Sequence, residues 1–394
     1  MTTQETIEIF EKFVIGNYTR SPVVLVRGEG SYVWDADGKK YLDLFPGWGV
    51  NGLGHCHPKV VAAIREQAAK LIHIANNFYS LPQGKLAELI SKNSFGGKCF
   101  FCNSGAESVE AAIKLARIAS APGKFKIITM ENSFHGRTLA AITATGQAKY
   151  HKGFEPLPAG FTYVPFNDLA AVSAAVDDET CAIMLEVIQG EGGINIAKRD
   201  YLQGLRDLCS SGGLFLIVDE VQTGMGRTGE YFAYKHFGVE PDIMTLAKAL
   251  GGGMAIGAIV AKPEIAERLV PGSHASTFGG NPLAAAAACA VFSAIEEESL
   301  LENARHLGEY ALTRLKETAA KYEFVKEARG VGLMLGMELA IPGEKIVKQC
   351  MERGLLINCT QERILRLMPP ITVKKEELDQ GLEILEGVLK EVKE

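Results

Sequence analysis

Apolar residues in the middle of the chain form short continuous runs and do not alternate with polar residues. The run 214–218 ends at Asp219 and Glu220, and the run 243–246 is followed by Lys248. Runs of this length, bounded by turn-forming residues, predict strands that are buried on both faces of a parallel sheet. Because ligands bind beyond the carboxyl ends of such strands, we expect Asp219 and Lys248 to face one crevice.

Helical patterns alternate with short apolar strands from residue 58 to about residue 260. This alternation predicts an α/β fold with a large, doubly wound, mostly parallel sheet. Alternating segments before it predict antiparallel hairpins, and a long helix after it leads into a smaller α+β region. We therefore predict an N-terminal segment, residues 1–50, that joins the small domain, a large α/β domain, residues 51–280, and a small C-terminal domain, residues 281–394.

Composition and charge restrict the class of protein. The 394 residues are 47% hydrophobic and 22% charged, as in globular proteins. The net charge of −6 argues against a nucleic-acid partner. The N-terminus lacks the basic and apolar regions of a signal peptide, and the longest apolar stretch is too short to span a membrane. We therefore expect a cytoplasmic protein without a nucleic-acid or membrane partner.

Cysteine and histidine patterns do not predict a metal site. Eight cysteines without a secretory signal suggest reduced thiols. Cys99 and Cys102 form a CxxC pattern, but no second pair follows. The sequence His55-Cys56-His57 also lacks a partner pair, and zinc needs three or four ligands.

The predicted crevice contains the two groups that pyridoxal phosphate (PLP) chemistry uses. A lysine such as Lys248 forms the Schiff base, and an acid such as Asp219 keeps the pyridine nitrogen protonated. Ser104, Gly105 and Ala106 lie between a strand and an amphipathic helix, where backbone N–H groups and the helix dipole favour phosphate. A tight turn in which Ser104 only caps the helix is the alternative.

A glycine pattern suggests a different class of enzyme. Residues 224–229 match GxGxxG, which is typical of dinucleotide-binding dehydrogenases. The context does not fit, since residues 219–223 separate the strand from the glycines. The motif also requires an acidic residue at the end of the next strand, whereas the next acid, Asp242, precedes its strand. A dehydrogenase is therefore disfavoured.

Candidate ligand-binding side chains occur at three further places. Phe134 could stack on a planar cofactor, and Arg137 could bind a carboxylate through two hydrogen bonds. Arg366 alternates with apolar residues, and such an arginine is usually paired with a protein or ligand carboxylate. Glu186 and Glu191 lie beyond another apolar strand. Taken singly, each position also fits a structural role.

Together these segments resemble the class III aminotransferases of the ornithine and acetylornithine type, which have PLP fold type I. The resemblance covers nearly the whole chain, through "VRGEGSYVWDADGKKYLDL", "GLGHCHP", "NSGAESVEAAIKLAR", "SFHGRT", "IQGEGG", "DEVQTGMGRTG", "LAKALGGG", "STFGGNP" and "LRLMPP". It implies PLP as cofactor, amino acids and 2-oxo acids as substrates, and a homodimer with shared active sites.

The resemblance also implies the roles of individual residues. Lys248 and Asp219 would be catalytic. The cofactor would be held by Ser104, Gly105, Ala106, Phe134, Asp219, Glu220, Val221, Gln222 and Lys248, with Thr277 reaching in from a second subunit. The substrates would contact Tyr18, Trp48, Arg137, Glu186, Glu191, Ser276 and Arg366.

Two arginines would each bind a carboxylate of a different substrate. Arg366 would bind the α-carboxylate of glutamate or 2-oxoglutarate, and Glu191 would neutralise Arg366 when the other substrate presents its distal amine. Arg137, with Tyr18, would hold the carboxylate of an ornithine-like substrate. Trp48 stands where relatives carry other side chains that shape the pocket.

The resemblance implies transfer of the terminal amino group of N-acetylornithine, or a similar ω-amino acid, to 2-oxoglutarate. Ornithine, succinylornithine, a carrier-bound lysine and 4-aminobutyrate remain alternative donors. An aminomutase or racemase of the same fold is a more distant alternative, as is a PLP-carrying binding protein without catalysis.

Overall fold

The fold is given by a computed structural model that describes residues 1–393. Twelve α-helices lie in this range. They are α1 Thr3–Phe13, α2 Pro58–Ala68, α3 Leu81–Asn93, α4 Gly105–Ala119, α5 Leu139–Ala144, α6 Leu169–Ala175, α7 Arg199–Gly212, α8 Pro263–Ala266, α9 Pro282–Glu297, α10 Leu300–Ala319, α11 Glu344–Glu352 and α12 Lys375–Lys393.

The strands belong to three larger sheets and one two-stranded ribbon. They are β1 Leu25–Glu29, β2 Tyr32–Asp35, β3 Lys40–Asp43, β4 Lys98–Cys102, β5 Lys126–Met130, β6 Phe161–Val164, β7 Thr180–Leu185, β8 Ile188–Gln189, β9 Asn195–Ile196, β10 Phe215–Asp219, β11 Ile243–Leu246, β12 Gly257–Ala261, β13 Val325–Val331, β14 Met334–Leu339, β15 Leu355–Leu356, β16 Asn358–Thr360 and β17 Ile364–Leu367.

The largest sheet has seven strands in the order β4-β12-β11-β10-β7-β5-β6. Only β12 runs antiparallel to its neighbours, and β7, β11 and β12 are buried at every position. The predicted α/β fold with a mostly parallel sheet is confirmed. Strands β10 and β11 are adjacent and parallel, with Val218 opposite Met244. Their carboxyl ends, near Asp219 and Lys248, therefore lie at the same edge of the sheet.

Two smaller sheets lie outside this core. Strands β13, β14, β17 and β16 form an antiparallel sheet. Strands β1, β2 and β3 form antiparallel hairpins, and β3 pairs in parallel with β15, placing Leu42 opposite Leu355. This pairing supports the proposal that residues 1–50 join the small domain, residues 281–394. The domain boundaries stay a prediction, and Glu394 lies outside the described residues.

Helix α1 was not predicted from the sequence. Its N-terminus carries a capping box, in which the Thr2 hydroxyl accepts a hydrogen bond from the Glu5 N–H and the Glu5 carboxylate accepts one from the Thr2 N–H. None of its residues is buried. Ile7, Phe10 and Val14 nevertheless recur at helical spacing, so the sequence held a signal for this helix.

Within residues 1–393, no helix is both long enough and apolar enough to cross a membrane. The same residues contain no group of three or more His, Cys, Asp or Glu side chains that could hold a metal ion. All eight cysteines are unpaired.

Candidate active site

A cavity of about 160 Å³ lies at the carboxyl edge of the large sheet. Its walls combine the end of β10 and the turn after it, the N-terminus of α4, and the segments that follow β5, β7 and β11. It is lined by Gly105, Ala106, Phe134, His135, Gly136, Glu186, Glu191, Asp219, Val221, Gln222 and Lys248. The structure thus brings together most of the residues that the sequence indicates, and it adds His135 and Gly136.

Lys248 follows β11 in a strained conformation. Its φ angle is +45°, in the left-handed region that side-chain-bearing residues rarely adopt. Burial lowers the pKa of the Lys248 amine, against the opposing effect of Glu191. No carboxylate among residues 1–393 lies within ion-pair distance of this amine. A larger fraction of it is therefore neutral and able to act as a nucleophile or base.

Asp219, the last residue of β10, is buried and held by three donors. Its Oδ2 lies 2.7 Å from Nδ1 of His135. Its Oδ1 accepts hydrogen bonds from the Thr245 hydroxyl, at 2.8 Å, and from the Val221 N–H, at 3.0 Å. These contacts fix the orientation of the carboxylate toward the cavity.

His135 is the main residue of the cavity that sequence analysis missed. Its side chain is fully buried, and its Nε2 has no hydrogen-bond partner among the described residues. His135 and Asp219 are far apart in the sequence, and no spacing rule links them. The only sequence signal is the position of His135 next to Phe134 and Arg137 in the segment already singled out.

Glu186 directly follows β7 and supports the wall of the cavity that contains Phe134. One carboxylate oxygen accepts from the Phe134 N–H at 2.9 Å, and the other accepts from the Gly190 N–H at 3.1 Å. Burial raises the pKa of Glu186 to about 7. Glu186 therefore positions the loop of Phe134 and carries a proton more readily than an exposed glutamate.

Arg137 is exposed next to two aromatic rings. Its guanidinium lies 5.4 Å from the ring centre of Phe134 and 4.3 Å from that of Tyr150. These distances are within the range of cation–π attraction, which orients the guanidinium without using its N–H donors. The donors remain available to a carboxylate.

Arg366, on β17, is almost completely buried and fully paired. Its Nη1 lies 2.8 Å from Oε1 of Glu191 and donates to the Gly190 carbonyl at 3.0 Å. Its Nε and Nη2 donate to Oδ1 of Asn358 at 2.9 and 2.6 Å. The positive charge of Arg366 is thus neutralised by a glutamate that also lines the cavity.

Three of the predicted residues lie outside the cavity, in regions that are open to solvent. Tyr18 is 63% exposed. Ser276 and Thr277 line a separate cavity of about 370 Å³. The Ser276 hydroxyl accepts a hydrogen bond from the Gly279 N–H at 3.1 Å. The fold of the chain does not bring these three residues into the cavity that Lys248 lines.

The other predicted residues lie beside the cavity or face away from it. Ser104 caps α4 by accepting from the Glu107 N–H at 3.2 Å. The buried Glu220 carboxylate accepts hydrogen bonds from the Tyr234 N–H and the Thr223 hydroxyl. Trp48 is 58% exposed. Its ring lies 6.4 Å from the ring of Phe45, which in turn contacts the guanidinium of Arg366.

Residues 15–389 match the model of the family Aminotransferase class-III. The chain belongs to this family. It is 54% identical to acetylornithine aminotransferase from Caldanaerobacter subterraneus subsp. tengcongensis, over 97% of this chain and 98% of that protein. It is 52% identical to acetylornithine aminotransferase from Methanocaldococcus jannaschii, over the full length of both.

Solved structures of two aminotransferases have the same fold. Ornithine aminotransferase from Toxoplasma gondii superimposes with a TM-score of 0.95 at 34% identity, over 100% of this chain and 96% of that chain. Acetylornithine aminotransferase from Elizabethkingia anophelis superimposes with a TM-score of 0.89 at 35% identity, over 99% of this chain and 100% of that chain. The fold is PLP fold type I, and class III aminotransferases depend on PLP.

The cavity fits this cofactor. The N–H groups of Gly105 and Ala106 begin α4, where a helix leaves donors for an anion such as phosphate. A Cβ atom on Gly105 would lie 2.9 Å from Cγ1 of Val221, so a side chain there would close the site. Both amide atoms of Gln222 are buried without a partner among residues 1–393, which leaves them for a polar ligand.

Proposed function

We propose that this class III aminotransferase transfers the terminal amino group of N-acetylornithine to 2-oxoglutarate, giving a semialdehyde and glutamate. The proposal depends chiefly on the buried pair of Arg366 and Glu191 beside Lys248. Such a pair can switch between two substrates that differ in whether they present a carboxylate. Relatives at 54% and 52% identity are named acetylornithine aminotransferases, which supports this choice of donor.

In this proposal Lys248 is the catalytic base. Bound PLP supplies an electrophilic carbon for the substrate amine and a ring that delocalises the electron pair left by deprotonation. The Lys248 amine, whose pKa is lowered by burial, is suited to hold the cofactor and to accept a proton from the amine-bearing carbon of the substrate.

Asp219 is proposed to keep a positive charge on the pyridine nitrogen. The bonds from His135, Thr245 and the Val221 N–H hold one orientation of the carboxylate before the cofactor binds. A preorganised charge of this kind stabilises the transition state without reorganisation during the reaction.

Further contacts to the cofactor and the substrate are assigned to other cavity residues and to the exposed Arg137. The helix start at Gly105 and Ala106 would bind the phosphate, Phe134 and Val221 would pack on the two ring faces, and Gln222 would contact the phenolic oxygen. The exposed donors of Arg137 would bind the α-carboxylate of N-acetylornithine.

Replacing Glu191 by glutamine is expected to worsen the discrimination between the two substrates. The variant leaves the positive charge of Arg366 unneutralised, so glutamate binds better and N-acetylornithine is repelled or misplaced. We expect the ratio of kcat/KM for glutamate to that for N-acetylornithine to rise about tenfold, as for the loss of one charged hydrogen bond. Steady-state kinetics of each half-reaction measures this ratio.

The control for this variant is Glu391→Gln. Glu391 pairs with Arg353 at the surface, and its change should leave the ratio as in the wild type. An unchanged ratio in Glu191→Gln would show that Glu191 does not govern substrate choice.

We further propose a homodimer in which Tyr18, Ser276 and Thr277 complete the site of the second subunit. All three lie away from Lys248 within one subunit, and the surface around them exposes large apolar residues, among them Phe78 and Tyr79. The Asn76 side chain donates to the carbonyls of Ser276 and Gly279, which ties this surface together. Exposed apolar surface of this kind is typical of subunit interfaces.

Sedimentation equilibrium of the purified protein is expected to give the mass of a dimer, and a monomer at micromolar concentration would contradict the proposal. Mixing an inactive Lys248→Ala subunit with an inactive Thr277→Ala subunit is expected to restore part of the activity, because the mixed dimer contains one intact site. We place the protein in the cytoplasm, which agrees with its eight unpaired cysteines.

A comparison of several amines tests which of them is the amino donor. Each is mixed with the PLP-loaded enzyme in the absence of 2-oxoglutarate, and the rate of one half-reaction is measured. We expect the highest kcat/KM for N-acetylornithine. If kcat/KM were higher for ornithine, succinylornithine, 4-aminobutyrate or a carrier-bound lysine, that amine and not N-acetylornithine would be the donor. Formation of glutamate from 2-oxoglutarate excludes a racemase, an aminomutase or a non-catalytic binding protein, none of which makes it.

A further inference from the structure

Arg227 is a buried arginine outside the cavity. Its side chain is 2% exposed. Its Nη1 donates to the carbonyl of Leu333 at 3.1 Å and to the carbonyl of Pro369. Its Nη2 is buried without a partner, and no carboxylate pairs with the guanidinium among residues 1–393. Burial lowers the pKa of Arg227 to about 10.

The glycine-rich segment 224–229 directs Arg227 into the interior. The segment consists of turns, and no helix starts in it as a dinucleotide site would require. Met225 and Gly226 have φ angles of +59° and +85°. The Leu333 N–H donates to the carbonyl of Arg227 at 3.0 Å. A Cβ atom on Gly332 would come within 2.5 Å of Thr228, so the two turns are in close contact.

Stability alone does not account for an arginine at this position. Burying a charge without a counter-charge costs free energy, even when hydrogen bonds to carbonyls recover part of it. Replacing buried charged groups by well-packed apolar side chains is often neutral or favourable for folding. The contacts of Arg227 join separate segments of the chain, and its role follows from which segments these are.

The guanidinium connects the two halves of the proposed substrate site. Asp219 precedes the segment that carries Arg227, at the end of β10. Pro369 closely follows β17, the strand of Arg366. Leu333 immediately precedes β14, whose residue Gly336 pairs with Arg366 across the sheet. Both carbonyls that Arg227 binds thus belong to chain segments that determine where Arg366 lies.

We propose that Arg227 is a positioning residue that fixes Arg366 relative to Asp219. By binding the carbonyls of Leu333 and Pro369, it sets the distance between the group that binds the substrate α-carboxylate and the end of β10. The inference rests on the proposed role of Arg366. It concerns the 2-oxoglutarate half-reaction more than the other half-reaction, because Arg137 lies on a loop that Arg227 does not contact.

The variants Arg227→Met and Arg227→Lys test the proposal. In the methionine variant, kcat/KM for 2-oxoglutarate is expected to fall about 10- to 100-fold, as for a displacement of a binding group by about 1 Å. In the same variant, kcat/KM for N-acetylornithine should stay close to that of the wild type. The lysine variant should be intermediate, because an ammonium keeps the charge but does not reach both carbonyls with the geometry of a guanidinium.

Binding provides a readout that is independent of turnover. Calorimetric titration with glutarate, a dicarboxylate that cannot react, should show weaker binding to both variants than to the wild type. The matched control is Arg117→Met. Arg117 likewise donates to two backbone carbonyls, those of Phe125 at 3.0 Å and Ala159 at 3.1 Å, but its contacts are remote from Arg366. This control should leave both half-reactions and glutarate binding unchanged.

The outcomes separate this inference from the proposed function. Equal losses in both half-reactions, or no loss in either, would overturn the positioning role of Arg227. If Arg366→Lys leaves kcat/KM for 2-oxoglutarate unchanged, the proposed role of Arg366 fails, whatever Arg227 does. If Arg366→Lys lowers that value and Arg227→Met does not, only the present inference fails. Should the methionine variant not fold, the lysine variant decides the same comparison.

Discussion

Replacing Lys248 by alanine is expected to abolish amino transfer while the protein stays folded. The variant loses both the amine that holds the cofactor and the base that moves the proton. Among residues 1–393, no other lysine lines the cavity. General base and covalent catalysis together make a loss of at least about 10⁴-fold in kcat the expected result. Formation of glutamate from 2-oxoglutarate and N-acetylornithine measures the loss.

A chemical readout accompanies the kinetics. Borohydride reduction of the wild type should leave the cofactor covalently bound to the peptide that contains Lys248, as seen by mass spectrometry, and Lys248→Ala should retain it only non-covalently. Lys262→Ala is the control, since Lys262 pairs with Asp242 and does not line the cavity. Full activity in Lys248→Ala, or covalent cofactor on another lysine, would refute the assignment.

The Asp219→Asn variant is expected to have the second largest effect. Asparagine keeps the size of the side chain but removes the negative charge that His135 and Thr245 hold in place. We expect kcat to fall about 10²–10³-fold, comparable to the loss of one preorganised electrostatic group. The dissociation constant of PLP should change much less, because phosphate and ring contacts remain.

Asp242→Asn is the matched control for this variant. Asp242 is also a buried aspartate next to the large sheet, but it precedes β11 and pairs with Arg206 and Lys262. Its replacement should lower the unfolding temperature and leave kcat nearly unchanged. If Asp219→Asn lost PLP affinity in proportion to kcat, Asp219 would act mainly as a binding residue.

The centre of the fold could be predicted because it depends on local patterns. Fully buried strands have continuous apolar runs, and the charged residues that end them are therefore conspicuous. Asp219 and Lys248 were predicted to share a crevice for this reason, and both line one cavity. The glycine motif at 224–229 was rejected from its context, and the segment indeed forms turns without a helix.

Contacts between distant segments could not be predicted in the same way. The pairing of His135 with Asp219 depends on how β5 and β10 are ordered in the sheet, which no local pattern specifies. The direction of the Glu220 side chain, away from the cavity, follows from the turn after β10. The apolar context of Arg366 predicts that it is paired with a carboxylate, but it does not specify which one. Only the resemblance implied that the partner is Glu191. The structure places the two side chains together.

The pairing of β3 with β15 has a consequence for the order of events during synthesis. Leu42 leaves the ribosome long before its partner Leu355. At about 5–20 residues per second, the partner strand is made roughly 15–60 s later. Throughout that interval the edge of β3 has no strand beside it and can pair with other nascent chains. The hairpins at the N-terminus therefore keep one sheet edge unpaired for most of the synthesis of the chain.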